Sequence, residues 1–192
     1  MNEVSSPTLH SSNSPSLQSS LLLRYRLVLG FFILALVVSG LTAFPLRWEL
    51  ETLVGWLGWS QLAPASAPNG LAFWLLSVRD GLQETYAKFP WFAYGTDWLA
   101  FAHLTIAVFF IGPFVRPVRN VWVLWAGLIA CALVPLLALA CGPLRGIPFY
   151  WRLGDCAFGV FGALPLLYGL KLTRAMEAAG SETRPTTAKN RT

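Results

Sequence analysis

Residues 121–144 read VWVLWAGLIACALVPLLALACGPL and contain no charged side chain. A helix of about twenty residues reaches about 30 Å, the thickness of the hydrocarbon core of a bilayer. Pro135 interrupts the run, but membrane-spanning helices tolerate proline because neighbouring groups satisfy the carbonyl that it frees. The stretch therefore predicts a membrane-spanning helix, over about 121–141.

Three further apolar segments have the same character, at about 27–46, 98–115 and 154–172. The first two contain no Asp, Glu, Lys or Arg. The last is shorter in its apolar part, with Asp155 near its start and Lys171 near its end, where a lysine side chain can extend to the interface. Together the four segments predict four spans.

The composition excludes a single soluble domain. The 192 residues are 55% hydrophobic and 12% charged, with a mean hydropathy of +0.56. Soluble domains carry about 25% charged residues, so this chain has too few to cover a water-facing surface. Three cysteines do not make a disulfide scaffold, and no metal-site spacing is present. We predict an all-α integral membrane protein with four transmembrane helices.

The organisation that follows is a membrane domain between two polar ends. Residues 1–22 are rich in serine and are predicted to be a disordered leader, 23–174 the four-helix membrane domain, and 175–192 a disordered tail. In an alternative interpretation, residues 1–43 are a cleaved signal peptide that ends in the small residues around Ala43.

An amphipathic outer segment, 47–96, separates the first two spans. Its two halves are divided by the proline- and glycine-containing stretch 64–70. Each half has apolar residues at the spacing of one helical face: Leu50, Leu53, Val54 and Leu57 in the first, and Leu71, Leu75, Val78 and Leu82 in the second. Neither half is long and apolar enough to span, so both are predicted to be amphipathic interfacial helices.

The charge distribution predicts the orientation. With four spans, nine of the 14 basic residues lie on the side of the termini, and six of the nine acidic residues lie on the other side. The positive-inside rule then predicts a cell-membrane protein with both termini in the cytoplasm. Seven of the nine tryptophans also fall in the outer half, which is where we expect a binding site or partner surface. The basic residues flank apolar segments, so the net charge of +5 does not indicate nucleic-acid binding.

His103 is the one histidine inside an apolar segment, on a face shared with Ala100 and Ala107. An ionisable residue inside a membrane is a functional hypothesis, but a neutral interhelical hydrogen bond is the simpler interpretation. A haem with two histidine ligands would need a second one, and the other histidine is His10 in the leader. No cofactor and no metal site are therefore predicted.

The outer half contains further candidate polar residues. With His103 they form the candidate site His103, Asp97, Asp155, Arg152, Arg79, Asp80 and Glu84. One interpretation is a shallow charged pocket over the bundle, with Arg152 and Asp155 as an i, i+3 pair. The other places Asp97 and Asp155 at helix N-termini, where carboxylates satisfy free N–H groups.

Cys141 and Cys156 lie at the outer ends of adjacent spans, which makes them candidates for a disulfide. The alternative is that each packs as a small apolar residue between helices. For the whole protein, we expect non-catalytic binding of a partner, a lipid or an apolar small molecule at the outer half. A membrane-embedded enzyme or redox component that uses His103 and the outer carboxylates is the alternative, and a subunit of an oligomeric transporter is the third. The expected partners are the lipid bilayer and a membrane protein or a second copy of the chain.

Overall fold

The structure, a computed structural model, describes residues 14–182, which contain seven α-helices and no strand. In chain order these are α1 (Ser14–Ala43), α2 (Leu46–Trp56), α3 (Gly70–Lys88), α4 (Ala93–Phe109), α5 (Ile111–Val115), α6 (Val121–Leu144) and α7 (Phe149–Glu182). Single 3-10 turns at Pro64–Ser66 and Pro90–Phe92 precede α3 and α4.

Four helical segments are long and apolar enough to cross a membrane: Ser16–Ala43, Pro90–Val115, Val121–Leu144 and Phe149–Ala179. Within the most apolar part of each, between 11% and 22% of the residues are buried. Most of the helix surface is therefore apolar and outward-facing, which suits contact with lipid rather than water. The predicted all-α membrane bundle is confirmed.

The first and last helices extend beyond the predicted spans. Helix α1 includes residues 14–22, and α7 continues to Glu182, past the predicted end of the membrane domain. Extending a helix that already exists costs far less than starting one, so polar residues can prolong an apolar helix. Ser19 and Ser20 each donate a hydroxyl hydrogen bond to a carbonyl three residues earlier, which satisfies these side chains on the helix.

Prolines set two other boundaries that the apolar pattern misses. Helix α1 ends at Ala43 rather than at residue 46, because Pro45 disfavours helical geometry in the residue before it. The predicted span 98–115 is divided into α4 and α5 at Phe110. Pro113 has no N–H to donate to the carbonyl of Phe109, so the helix cannot continue regularly through this point.

The bundle is an open array in which α1 packs against α4 and α7, and α7 packs against α6. One end of the bundle contains the first residues of α1 and α6 and the last residues of α4 and α7, and we call it the terminal end. The main hydrophobic core lies there. The buried residues there are Tyr25, Leu29, Phe32, Phe110, Val123, Leu124, Leu166, Leu170 and Leu172. The opposite end has far fewer large buried side chains and is called the cap end.

Small residues let α6 and α7 approach closely. A Cβ atom added at Gly159 would lie 2.5 Å from the Cys131 carbonyl oxygen, and one at Gly162 would lie 3.1 Å from the Cys131 sulfur. At Gly127, an added Cβ would lie 2.8 Å from Leu166. Because lipid supplies no hydrophobic force between helices, such close packing is what holds membrane helices together.

Helices α2 and α3 form a separate unit, the cap, with the core Leu50, Val54, Leu75 and Leu76. The predicted amphipathic helices are therefore present, but the predicted apolar faces are only partly buried. Leu53, Leu57 and Leu71 are exposed, because the two short helices cover only a narrow strip of one another. The cap meets the bundle through the Tyr150 hydroxyl, which donates to the Gly70 carbonyl at 2.9 Å, and through the tilted pair Trp74–Trp151.

Candidate functional site

A cavity of about 300 Å³ opens at the cap end between α4 and the turn that follows α1. It is lined by Phe44, Tyr94, Asp97, Trp98 and Phe101. The four residues from α4 have the spacing i, i+3, i+4 and i+7, so they occupy one face of that helix. Phe44 completes the cavity, because α1 ends at Ala43 and the chain turns at Pro45. We call this the aromatic pocket.

The rings of the aromatic pocket stand nearly perpendicular to one another. The Tyr94 and Trp98 ring centroids are 6.0 Å apart at an interplanar angle of 81°, and those of Trp98 and Phe101 are 5.8 Å apart at 87°. Edge-to-face pairs of this kind are the favoured geometry of aromatic neighbours. Because all of these rings line one cavity, a bound group would contact more than one of them.

Asp97 brings a carboxylate into this apolar pocket. It is half-buried and has no hydrogen bond or ion pair with any of the described residues. Helix α4 begins at Ala93, which makes Asp97 its fifth residue and places it beyond the first turn. Asp155 is likewise the seventh residue of α7. The prediction that both carboxylates cap helix N-termini is therefore wrong, because both helices begin earlier than the apolar pattern indicated.

His103 makes its polar contact within its own helix. Its Nδ1 lies 2.8 Å from the Leu99 carbonyl oxygen, and the side chain is half-buried. Ala100 and Ala107, on the same face, are buried as expected. Since His103 is six residues from Asp97, the two lie about 120° apart around the helix. His103 is therefore outside the aromatic pocket.

The cap holds a second polar cluster, centred on Arg79. This guanidinium donates to the Asp80 carboxylate at 2.7 Å and to the carbonyls of Ser60 and Leu62, which joins α3 to the turn after α2. Nearby, Glu51 accepts hydrogen bonds from Arg47 at 2.8 Å and from Gln83 at 3.0 Å. These donors lower the pKa of the Glu51 carboxyl from its ordinary value, with Arg47 the largest cause.

A cavity of about 270 Å³ lies among Glu51, Ser60, Arg79 and Gln83, but these polar groups already have partners in the cap. Glu84, the remaining predicted residue on α3, is exposed and forms no ion pair with the described residues. The Arg79 cluster is thus explained by the structure of the cap.

Arg152 and Asp155 form no ion pair in the described part of the chain. Instead, the stem of Arg152 packs directly on Gly142, and its guanidinium lies 5.2 Å from the centre of the Phe149 ring. Arg152 Nε is buried and has no hydrogen-bond partner among the described residues, and Asp155 is half-buried. The predicted polar residues therefore do not form one site. Asp97 lies in the aromatic pocket and His103 lies on another face of α4. The others lie in the cap (Arg79, Asp80 and Glu84) and on α7 (Arg152 and Asp155).

The sequence identified Asp97 as a candidate, but the rings of Tyr94, Trp98 and Phe101 were not predicted to lie around it. The signal was present as Tyr94, Trp98 and Phe101 at helical spacing from Asp97. It was hidden because α4 was predicted to start at residue 98, which left Tyr94 outside the helix. Phe44 could not be found in this way, since its place depends on how α1 packs against α4.

Cys141 is exposed, and Cys131 and Cys156 are half-buried. The Cys141–Cys156 disulfide stays a prediction, which alkylation without reductant would test. Within the described residues, no group of three or more His, Cys, Asp or Glu side chains is placed to hold a metal ion.

No family model, curated protein or solved structure matches this chain. The class of the protein therefore follows from its own fold and site. It is an all-α membrane bundle with a two-helix cap and an aromatic pocket at the cap end.

Proposed function

We propose that the protein is a non-catalytic membrane protein that binds a lipid or another amphiphile in its outer half. The observation that carries the proposal is the aromatic pocket, which combines four aromatic side chains with one carboxylate at the cap end. Its volume is at the lower end of the range for small-molecule sites, roughly 300–1,000 Å³. It therefore suits one group of a larger amphiphile, whose apolar remainder lies against the exposed helix surface.

We propose further that the protein lies in the cell membrane with both termini in the cytoplasm, which places the cap end outside. The support is the distribution of basic residues, since Arg24, Arg26, Arg116 and Arg119 all flank the terminal end. Tryptophan and tyrosine are enriched at membrane–water interfaces. The exposed rings of Trp48, Trp56, Trp91 and Trp98 therefore support an interfacial position for the cap end.

The alternative of a membrane-embedded enzyme or redox component has less support. It requires His103 to act with the outer carboxylates, whereas His103 contacts the Leu99 carbonyl and lies off the face of Asp97. A visible absorption spectrum of the purified protein tests this alternative, because a haem band would contradict the proposal.

A photoactivatable lipid tests lipid binding directly. The full chain is reconstituted in nanodiscs that contain a trace of a mixed-headgroup phospholipid pool with a diazirine close to the headgroup, and the labelled peptides are identified by mass spectrometry. We expect labelling to concentrate between Tyr94 and Phe101, and excess unlabelled lipid to reduce it.

The exposed face of α7 around Val160 provides the internal control, because its apolar side chains are exposed and do not line the aromatic pocket. Its labelling should be weaker and should not saturate. Equal, non-saturable labelling of both segments would show that the protein has only ordinary contacts with the bilayer, and the proposal would fail.

A further inference from the structure

We infer that the aromatic pocket recognises the trimethylammonium head of a zwitterionic lipid, as in phosphatidylcholine. This inference deepens the proposed function and rests on it, since it names the chemistry of the group that enters the pocket.

The rings supply the attraction for a cation that carries no N–H. The face of an aromatic ring is electronegative, and quaternary ammonium groups are bound where several such faces surround them. Tyr94, Trp98 and Phe101 adjoin at angles of 81° and 87°, and Phe44 contributes from the other side of the cavity. Since the four rings line one cavity, a cation bound there contacts more than one of them, and the indole of Trp98 is the strongest cation–π partner among them.

Asp97 supplies charge complementarity. The half-buried Asp97 carboxylate has no hydrogen bond or ion pair among the described residues, so no protein cation compensates its charge. No Lys or Arg lines the pocket to neutralise it. A bound cation would stabilise the carboxylate, and a lipid whose head is a bare phosphate or a glycerol would place negative charge or hydroxyls there instead.

The small number of acceptors favours a quaternary over a primary ammonium. Among the lining side chains, only the Asp97 carboxylate and the Tyr94 hydroxyl accept hydrogen bonds well. A primary ammonium has three N–H donors to satisfy, and one that stayed unpaired between aromatic rings would cost free energy. A trimethylammonium group has no such requirement, because its surface is methyl groups that pack against the rings.

The position of the pocket matches the depth of a lipid head. Asp97 lies within the first two turns of α4, about 6 Å along the axis from Ala93. Immediately before α4, Trp91 and Phe92 are exposed and stack on each other, as residues of an interfacial aromatic belt do. A headgroup at this interface would reach the pocket without leaving the bilayer.

Headgroup selectivity is the measurement that tests the inference. The full chain, purified and stripped of lipid, is titrated in detergent with phosphatidylcholine, phosphatidylethanolamine or phosphatidylglycerol of identical acyl chains, and bound lipid is counted by native mass spectrometry. We expect phosphatidylcholine to bind about tenfold more tightly than phosphatidylglycerol, and also more tightly than phosphatidylethanolamine. Tetramethylammonium chloride, as a free head, should compete with phosphatidylcholine.

Two variants assign the selectivity to the pocket. Asp97→Asn keeps the shape and removes the charge, and Trp98→Leu removes the best ring. Each should weaken phosphatidylcholine binding by about 3- to 30-fold. The matched controls are Glu84→Gln, an exposed carboxylate of the cap, and Trp122→Leu, an exposed tryptophan at the terminal end. Both controls should retain the affinity and the preference.

The outcomes separate the inference from the proposed function. Equal binding of the three lipids, or a preference for phosphatidylethanolamine, would overturn the trimethylammonium inference and leave lipid binding intact. A phosphatidylcholine preference that survives both pocket variants would place the headgroup site elsewhere and would also overturn the inference. If none of the lipids bound to the wild-type chain, the proposed function itself would fail.

Discussion

Among the described residues, Tyr25 is the largest fully buried side chain, with 0% exposure, and it lies in the core of the terminal end. Its hydroxyl has no hydrogen-bond partner of good geometry among the described residues, although the Thr173 side chain lies beside it. The Thr173 hydroxyl donates its own hydrogen to the Gly169 carbonyl at 3.0 Å. With the hydroxyl unpaired, Tyr25 contributes to stability through the packing of its ring in this core.

Two substitutions of Tyr25 distinguish the contribution of its ring to stability from that of its hydroxyl. We expect Tyr25→Phe to change the free energy of unfolding by less than about 1 kcal/mol, because it removes an unpaired polar group. Tyr25→Ala should cost about 3–5 kcal/mol, since it leaves a cavity in the core. Thermal unfolding in detergent measures both. A large loss in Tyr25→Phe would mean that the hydroxyl is bonded in the folded protein.

Glu51 makes the cap sensitive to acid. Its pKa in the folded protein is lowered by Arg47 and Gln83, so its charged form stabilises the cap above the ordinary carboxyl pKa of 4.5. This stabilisation is lost as the pH falls through the lowered pKa. We expect the thermal stability of the cap to decrease below about pH 4.5, by a small amount because the pair is exposed.

The Glu51 variant and its neighbour separate this effect from general acid unfolding. Glu51→Gln should be less stable than the wild type at pH 7 and should show a flatter acid dependence, as followed by tryptophan fluorescence. Glu49→Gln is the control, because Glu49 lies on the same helix without an ion pair among the described residues. Identical pH profiles for the wild type and Glu51→Gln would contradict the prediction.

Among the helices, the α6–α7 contact depends on the absence of a side chain at Gly159. A Cβ there would lie 2.5 Å from a backbone oxygen of α6, which cannot move unless the helices separate. We expect Gly159→Ala to cost about 1–3 kcal/mol of stability. Gly154→Ala, on the same helix, is the matched control, because its Cβ would meet nothing within 4 Å. Equal melting temperatures for the two variants would argue against close packing at this point.

In the cap, Arg79 joins α3 to the turn after α2. Its guanidinium donates hydrogen bonds to the carbonyls of Ser60 and Leu62 and to the Asp80 carboxylate. The single ammonium group of a lysine cannot reproduce this planar arrangement of donors. We expect Arg79→Lys to loosen residues 57–68, seen as several-fold faster limited proteolysis in that stretch. Lys88→Arg, at the end of the same helix, should leave the rate unchanged. Protection equal to the wild type in Arg79→Lys would show that the turn is held by other contacts.

The helices could be predicted because lipid leaves few alternatives to long apolar segments. Residues 121–144 illustrate this, since α6 occupies that whole stretch. The helix ends were harder to predict from the sequence, because the breaks at Pro45 and Pro113 depend on local backbone geometry within apolar segments. Which residues meet across helices was least accessible. The aromatic pocket forms only because Phe44 lies beside α4. The spacing of residues within one helix does not predict which residue of another helix it contacts.

On the scale of the whole molecule, the packing is uneven from one end to the other. The terminal end encloses Tyr25, Phe110 and Leu166, whereas α4 and α6 have no extensive contact along their length. Local stability follows the density of buried contacts, so the terminal end should be the rigid base of the bundle. The cap end, where the aromatic pocket lies, should then be the more easily deformed part of the bundle.

The orientation of this asymmetric molecule decides which side of the membrane the pocket faces. Arg116 and Arg119 lie in the short connection between α5 and α6, where basic residues have most influence on topology. We expect green fluorescent protein fused after Arg119 or after Arg174 to fluoresce, as it does in the cytoplasm. Alkaline phosphatase inserted near Asn69 should be active, as it is outside. Fluorescence from a fusion near Asn69 would contradict the four-span topology, and a mature chain that begins near Phe44 would establish the signal-peptide interpretation of α1.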